Sequence, residues 1–301
     1  MTAPKPSRGP ASRILVTGAS GFVGQAVVPA LRARGHQVVA LDRASVGDLA
    51  GFSGWAARLA GSDAVVHLAA LAHARGVDEA RLRAVNVDAA LALGEAAAAG
   101  GVKMLLMSSV KVLGEETPQM PFDDSSPPAP QDAYGRAKAA AEAALHAVPG
   151  LSLSVLRPPL VYGQGVKANF LALMRAIARG WPLPLASIEN RRSLIYVGNL
   201  ADAAVRCLES PSAAGKTYGV SDGAPVSTPD LCRAIGTALD RPARLFKCPA
   251  ALLELAPPAR RLTRSLVVDD ASIRRELGWA APHSMEEGLR LTAAWFRAQG
   301  G

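Results

Sequence analysis

The sequence predicts an α/β fold: a doubly wound parallel sheet with a smaller, mainly C-terminal lobe. Three observations carry that expectation. Short β-rich runs alternate with Ala/Leu-rich helical stretches from Arg13 onward, and strand–helix alternation implies parallel strands joined by right-handed crossovers. A glycine-rich turn separates the first strand from the first helix. The rhythm then breaks after Gly163, where Pro-rich pieces such as RGWPLPLAS and KCPAALLELAPPAR occur.

RILVT opens the series and is followed by an apolar-periodic segment through Leu31. HQVVALD, DAVVHLAA, VKMLLMSS and LSLSVLRP continue it. Each is a short buried-strand pattern, and helix-length stretches separate them. The first dozen residues, MTAPKPSRGPAS, are polar and Pro-rich without an apolar core, so they read as a disordered tail and not as a signal peptide. No apolar run approaches the roughly 20 residues of a membrane span.

With 33 basic and 25 acidic residues the formal charge is +8, which favours anionic ligands. The excess is spread out: Arg191–Arg192, Arg260–Arg261 and Arg274–Arg275 are the basic doublets, and no basic run interleaves with aromatics. Nucleic acid is therefore not an expected partner. Cys207, Cys232 and Cys248 lie far from one another and from any histidine pair, so neither a disulfide framework nor a metal site is expected, and a reducing cytoplasm fits.

ILVTGASGFVGQAV holds Gly18, Gly21 and Gly24 at the junction of strand and helix. Glycines there let backbone amides approach a pyrophosphate, and the helix N-terminus adds partial positive charge, as in a Rossmann-type sheet. The spacing between the first two glycines is one residue longer than in the GxGxxG fingerprint. Asp42 ends the second strand, where a carboxylate can hold the ribose 2′-hydroxyl of NAD. Arg43 beside it would instead meet a 2′-phosphate, which leaves NADP open. Asp63 either meets the adenine edge or caps a turn. The expected division is a tail at 1–12, a dinucleotide-binding domain at 13–163 rejoined at about 195–220, and a substrate lobe at 164–194 and 221–301.

DAYGRAKAAAE places Tyr134 and Lys138 on one helix face. Alone, such a pair is ordinary solvated surface. In combination with Ser108 and Ser109, which end the strand LLMSS at the ligand-binding edge of the sheet, it makes a general acid–base unit. Lys138 and a positive nicotinamide would both lower the pKa of Tyr134 by stabilising its phenolate, and Ser109 would hydrogen-bond the same substrate oxygen.

These residues resemble the extended short-chain dehydrogenase/reductases, in the nucleotide-sugar epimerase/dehydratase branch. The resemblance spans residues 13 to 298 and rests on TGASGFVG, DAVVHLAA, VNV, SSVKVLG, YGRAK, LRPPLVYGQG, RSLIYVGNLADAA and DDASIRRELGW. It implies a Ser109–Tyr134–Lys138 triad, with Lys138 also on the nicotinamide ribose. It implies a cofactor lined by Phe22, Val23, Ala64, Leu68, Ala69, Ala70, Asn86 and Pro158. It places a sugar nucleotide in the second lobe, with Lys111, Asn169, Arg192 and Arg264 as candidate contacts, the last three near the diphosphate.

Where dehydratases of this branch carry an Asp-Glu pair, this chain has Val110 and Lys111, and a lysine cannot supply the acid for loss of water. Leu113 replaces the usual tyrosine before Gly114. The resemblance thus implies an NAD-dependent 4-epimerase of a nucleotide-linked hexose or N-acetylhexosamine, with UDP as the leading carrier, in bacterial surface-polysaccharide synthesis. A 4-reductase of a UDP-4-keto-6-deoxy sugar using NAD(P)H, and an epimerase of polyprenyl-linked sugars, are the alternatives. A noncatalytic dinucleotide sensor is a further one. The stretch Ala250 to Arg264 would permit peripheral membrane contact or form a buried lobe helix. Ala-rich stretches near 82–99 and 134–147 would serve a homodimer or pack internally. His36, His67, His73 and His146 read as structural histidines.

Overall fold

The computed structural model describes residues 11–72, 78–117, 119–255 and 260–300. The expected tail therefore falls mostly outside the described residues, as does His73. Ser12 is inside them and is held: its carbonyl accepts from Gln37 N–H at 2.9 Å.

Six parallel strands form the main sheet: β1 (Arg13–Thr17), β2 (Gln37–Leu41), β3 (Ala64–His67), β4 (Lys103–Met107), β5 (Leu153–Arg157) and β8 (Lys216–Gly219), in the order β2-β1-β3-β4-β5-β8. The chain leaves β1 for β2 on one side and later crosses to β3 on the other. That reversal opens a crevice at the carboxyl ends of β1 and β3, the usual place for a ligand in such sheets.

Side-chain alternation along the strands fills two cores. Ile14 and Val16 join Val66, Leu105 and Leu156 on one face, under the helices Gly24–Ala33 and Val197–Glu209. Leu15 joins Val65, Met104, Leu106 and Val155 on the other, under Ala89–Ala99 and Ala133–His146. These two helices pack on each other: a Cβ on Gly94 would collide with Leu145. The Ala-rich stretches thus make internal contacts.

The second lobe has its own core of Tyr162, Phe170, Met174, Leu231, Ile235, Leu289 and Phe296. It gathers the helices Ala168–Ala178, Thr228–Ala238 and Met285–Ala298 around a two-stranded sheet of β6 (Leu160–Tyr162) and β7 (Leu194–Tyr196). The chain returns to the main sheet through the helix Val197–Glu209 and β8. It returns a second time: Ile273, Leu277 and Trp279 are buried in the core on the first face. The segment 221–301 is therefore not one lobe, because the DDASIRRELGW stretch caps β8 instead. Within Ala250–Arg264, Leu252 is 59% and Leu255 is 79% exposed, and the short helices Ala250–Leu253 and Arg260–Thr263 hold no buried residue among the described ones. Among the described residues no helix is long and apolar enough to cross a membrane.

Candidate active site

β1 ends at Thr17, and Gly18 takes φ of +69°, a left-handed conformation that glycine adopts without strain. A Cβ on Gly18 would stand 2.7 Å from the backbone nitrogen of Ala69. Gly21 N–H donates to Gly18 O at 2.9 Å, and a Cβ on Gly24 would lie 2.5 Å from Ala19 O. The turn is thus stripped of side chains where the first helix begins, and a dinucleotide pyrophosphate fits such a cradle. Val23 packs against the sheet core. Phe22 packs into the core of the second lobe, close to Gly165.

Asp42 follows β2 at the same edge. Its carboxylate caps the turn Arg43–Val46, accepting from Ser45 N at 3.0 Å and from Ser45 Oγ at 3.0 Å. Those bonds, the hydroxyl foremost, hold its carboxyl below the usual range. Arg43 is exposed beside it.

Asp63 and Ala64 require a correction. They precede and begin β3, and Asp63 Oδ2 accepts from Arg13 N–H at 2.7 Å, at the start of β1. Strands of a parallel sheet all run one way, so this is the amino edge, a full strand length from the cofactor crevice. Neither reading of Asp63 describes this contact: the carboxylate ties the start of β1 to the start of β3.

The loop leaving β3 is tied to the crevice. Leu68 N–H donates to Thr17 O at 3.2 Å, and Ala69 N–H reaches Thr17 Oγ1 at 3.4 Å. After Ala70, Leu71 is clamped by Asn86, whose Oδ1 accepts from Leu71 N at 2.8 Å and whose Nδ2 donates to Leu71 O at 3.2 Å. Asn86 is buried in a π-helical turn, Ala84–Asp88, a rare conformation that recurs at functional sites. Its amide fixes the loop after β3 by its backbone. Pro158 O accepts from Val110 N at 3.0 Å and joins the exit of β5 to the turn after Ser109.

Ser109 caps that turn, accepting from Lys111 N at 3.2 Å. Asp132 caps the helix Ala133–His146, accepting from Gly135 N at 2.7 Å. Lys138 is 2% exposed, and its Nζ donates to Met107 O, at the end of β4, at 2.8 Å. Burial pushes its pKa down to about 8, against an opposing pull from Glu142. Tyr134 shows the reverse of the expected lowering. Burial and then the Asp132 carboxylate push its phenol up, while the Lys138 ammonium donates to Met107 O.

The sequence reasoning missed a buried network behind the triad. Glu142 accepts from Ser108 Oγ and is gripped by Arg157, with Nη2 to Oε2 at 2.6 Å and Nε to both oxygens at 3.2 Å. Glu142 stands four residues after Lys138, and Arg157 ends the buried strand β5; those positions were the available signal. His67 lies beside this network. It is fully buried at the crevice with Nδ1 2.8 Å from Thr17 Oγ1, and burial, then the Lys138 charge, push its pKa down to about 3. Its Nε2 has no hydrogen-bond partner among the described residues. His36, against Glu209, and His146, against Thr217, remain structural.

The candidate substrate contacts divide. Lys111 is ion-paired to Asp132 and to Glu115, the latter at 2.9 Å. Val110 is buried, so neither position of the dehydratase pair offers a free acid. Arg192 sits on the lobe beside the same cluster. It donates to Arg264 O at 2.8 Å, and burial, then the nearby Arg261, pull its pKa down. No carboxylate partner holds it among the described residues, as suits a guanidinium awaiting an anion. Asn169 is exposed in the first turn of the helix Ala168–Ala178. Arg264 is occupied, with Nη1 2.6 Å from Glu116 and Nη2 3.2 Å from Glu254. Two carboxylates already neutralise it, which weakens it as a diphosphate ligand.

The sequence of residues 14–221 matches the NAD dependent epimerase/dehydratase family. The chain belongs to that family. It is 37% identical over 311 residues to a UDP-glucose 4-epimerase of Vibrio cholerae, covering 94% of this chain and 95% of the relative. The fold superposes on the Thermus thermophilus UDP-glucose 4-epimerase in complex with NAD with a TM-score of 0.78 and 26% identity, covering 95% and 99% of the two chains. It superposes on the Thermotoga maritima UDP-glucose 4-epimerase with UDP-glucose with a TM-score of 0.77 and 25% identity, covering 96% and 100%. The chain is thus an enzyme of the short-chain dehydrogenase/reductase type with NAD as its cofactor, and NADP recedes.

Proposed function

We propose that the protein is an NAD-dependent 4-epimerase of a UDP-linked hexose or N-acetylhexosamine, serving bacterial surface-polysaccharide synthesis. The observation that carries this reading is the convergence at the carboxyl end of β4. Lys138 is anchored on Met107 O, Tyr134 lies one turn earlier on the same helix, and Ser109 follows two residues after Met107. The curated relative that spans nearly the whole chain supports the same reaction.

The glycine turn, Asp42 and the Leu68–Ala70 loop would hold NAD. Bound there, NAD would supply a reversible hydride acceptor for the sugar carbon, and its oxidised ring would add a positive charge that favours the phenolate. Tyr134 accepts the proton of the sugar 4-hydroxyl and later gives it back. Ser109 hydrogen-bonds the same oxygen, and Lys138 contributes fixed positive charge beneath the pair. Arg192 takes the diphosphate through its fork of donors, with the Asn169 amide nearby.

The test offers purified protein UDP-glucose, then UDP-N-acetylglucosamine, without added reductant, and follows the configuration at C4 by NMR. Interconversion of the 4-epimers is the expected result. Failure with both, together with stoichiometric consumption of NADH on a 4-keto-6-deoxy sugar, overturns it in favour of a reductase. Turnover of polyprenyl-linked sugars alone would change the carrier.

A further inference from the structure

We propose that Glu142, fixed by Arg157 and Ser108, is a positioning residue that keeps the buried Lys138 side chain protonated. The proposal deepens the reading of Tyr134 and Lys138 as the acid–base pair.

The geometry is compact. Lys138 and Glu142 are one turn apart on the helix Ala133–His146, and they dock on consecutive residues, Lys138 on Met107 O and Glu142 on Ser108 Oγ. Arg157 ends β5, the neighbour of β4, and closes on both carboxylate oxygens. Glu142 is 4%, Lys138 2% and Arg157 9% exposed. Three charged groups are thus taken from water together. Burying an ion pair is costly unless the geometry is good, and a bidentate grip at a helix–sheet junction is a geometry that makes it tenable.

Lys138 needs that partner. A buried ammonium reverts to the neutral amine unless a charge or a bond favours it. Its hydrogen bond to Met107 O favours the ammonium, but a neutral amine can also donate, and this one bond leaves the lowering by burial dominant. The other groups facing it give no help: His67 from β3 is neutral around pH 7, and Tyr134 on its own helix is an un-ionised phenol. Glu142 is the anion at hand, and it draws the Lys138 pKa upward against burial. Arg157 and Ser108 keep the carboxylate from swinging away.

The test follows isotope-labelled lysine side chains by NMR through a pH titration of the intact protein, which requires no turnover and so stands or falls apart from the epimerase reading. In the natural protein Lys138 titrates near 8, and finding it neutral at pH 7 overturns the proposal. In Glu142→Gln its titration moves down by about one unit or more, a tenfold change in the protonation equilibrium. A Glu142→Met/Arg157→Met pair removes both charges and leaves no unpaired guanidinium; it moves Lys138 in the same direction by less. The alkaline limb of kcat follows the same displacement. A merely structural role lowers thermal stability and leaves the Lys138 titration in place, and that result overturns the proposal.

Discussion

A Cβ on Gly135 would lie 2.6 Å from the carbonyl oxygen of Lys111. The glycine between Tyr134 and Lys138 is therefore the point where the catalytic helix touches the turn that carries Ser109. Gly135→Ala gains helix propensity but forces that helix off the turn. Overpacking of this kind costs about 1–3 kcal/mol, and the triad loses its registration. A lower Tm together with a fall in kcat of at least tenfold is expected. An alanine variant as active and stable as the natural protein would show the contact to be compliant.

How far the site could be read from residues alone depends on which part is considered. Short continuous apolar runs and the glycine turn were enough for the sheet, because burial on both faces and left-handed backbone each leave a local trace. Tyr134 and Lys138 share a helix face by spacing alone. Asp63 misled because a short strand pattern does not say which of its ends a flanking acid occupies; the Arg13 contact decides that. Glu142 and Arg157 were missed because their pairing crosses from helix to sheet. Arg264 kept its charge in the sequence but not its freedom, since Glu116 is 148 positions away and Glu254 sits at the C-cap of the short helix Ala250–Leu253.

Gly18 supports a prediction on the cofactor. An alanine there must adopt φ near +69° and push into the Ala69 backbone. Strain of that kind is of order 1–3 kcal/mol, and the loop that moves is the one proposed to hold NAD. Gly18→Ala is expected to weaken NAD binding by at least tenfold by calorimetry. Unaltered NAD affinity would place the pyrophosphate elsewhere.

Tyr134→Phe removes the proton-transferring oxygen and leaves the ring. General acid–base catalysis contributes about 10²–10⁴-fold, so kcat should fall by that order. NAD affinity should change by less than about threefold, since the Lys138 contact to Met107 O survives. Equal losses in NAD binding and turnover would assign Tyr134 to the cofactor cradle and not to chemistry.

Arg192 and Arg264 offer a paired comparison on the second lobe. Arg192 has no carboxylate partner among the described residues, whereas Arg264 is bracketed by Glu116 and Glu254. Arg192→Ala is expected to raise KM for the nucleotide sugar at least tenfold, as loss of a charge-assisted bond worth about 1.5–3 kcal/mol implies. Arg264→Ala should leave KM within about threefold. Steady-state kinetics with both variants checks this, and a reversed order would restore Arg264 as the diphosphate ligand.

His67 predicts the acid limit of the fold. In the native protein its pKa lies near 3 because burial disfavours the imidazolium, whereas the unfolded chain takes up a proton near 6.5. Between those values the unfolded state binds more protons than the native one, so stability is full above about pH 6.5 and falls as the pH drops towards 3. The histidine accounts for up to about 5 kcal/mol of that fall. His67→Gln keeps a polar group beside Thr17 Oγ1 but cannot titrate. Urea unfolding at pH 7 and pH 4 should therefore show a smaller loss of stability on acidification in the variant than in the natural protein. Parallel losses in the two proteins would mean that His67 finds a partner for its proton, and the buried Nε2 would then have to face water or a carboxylate.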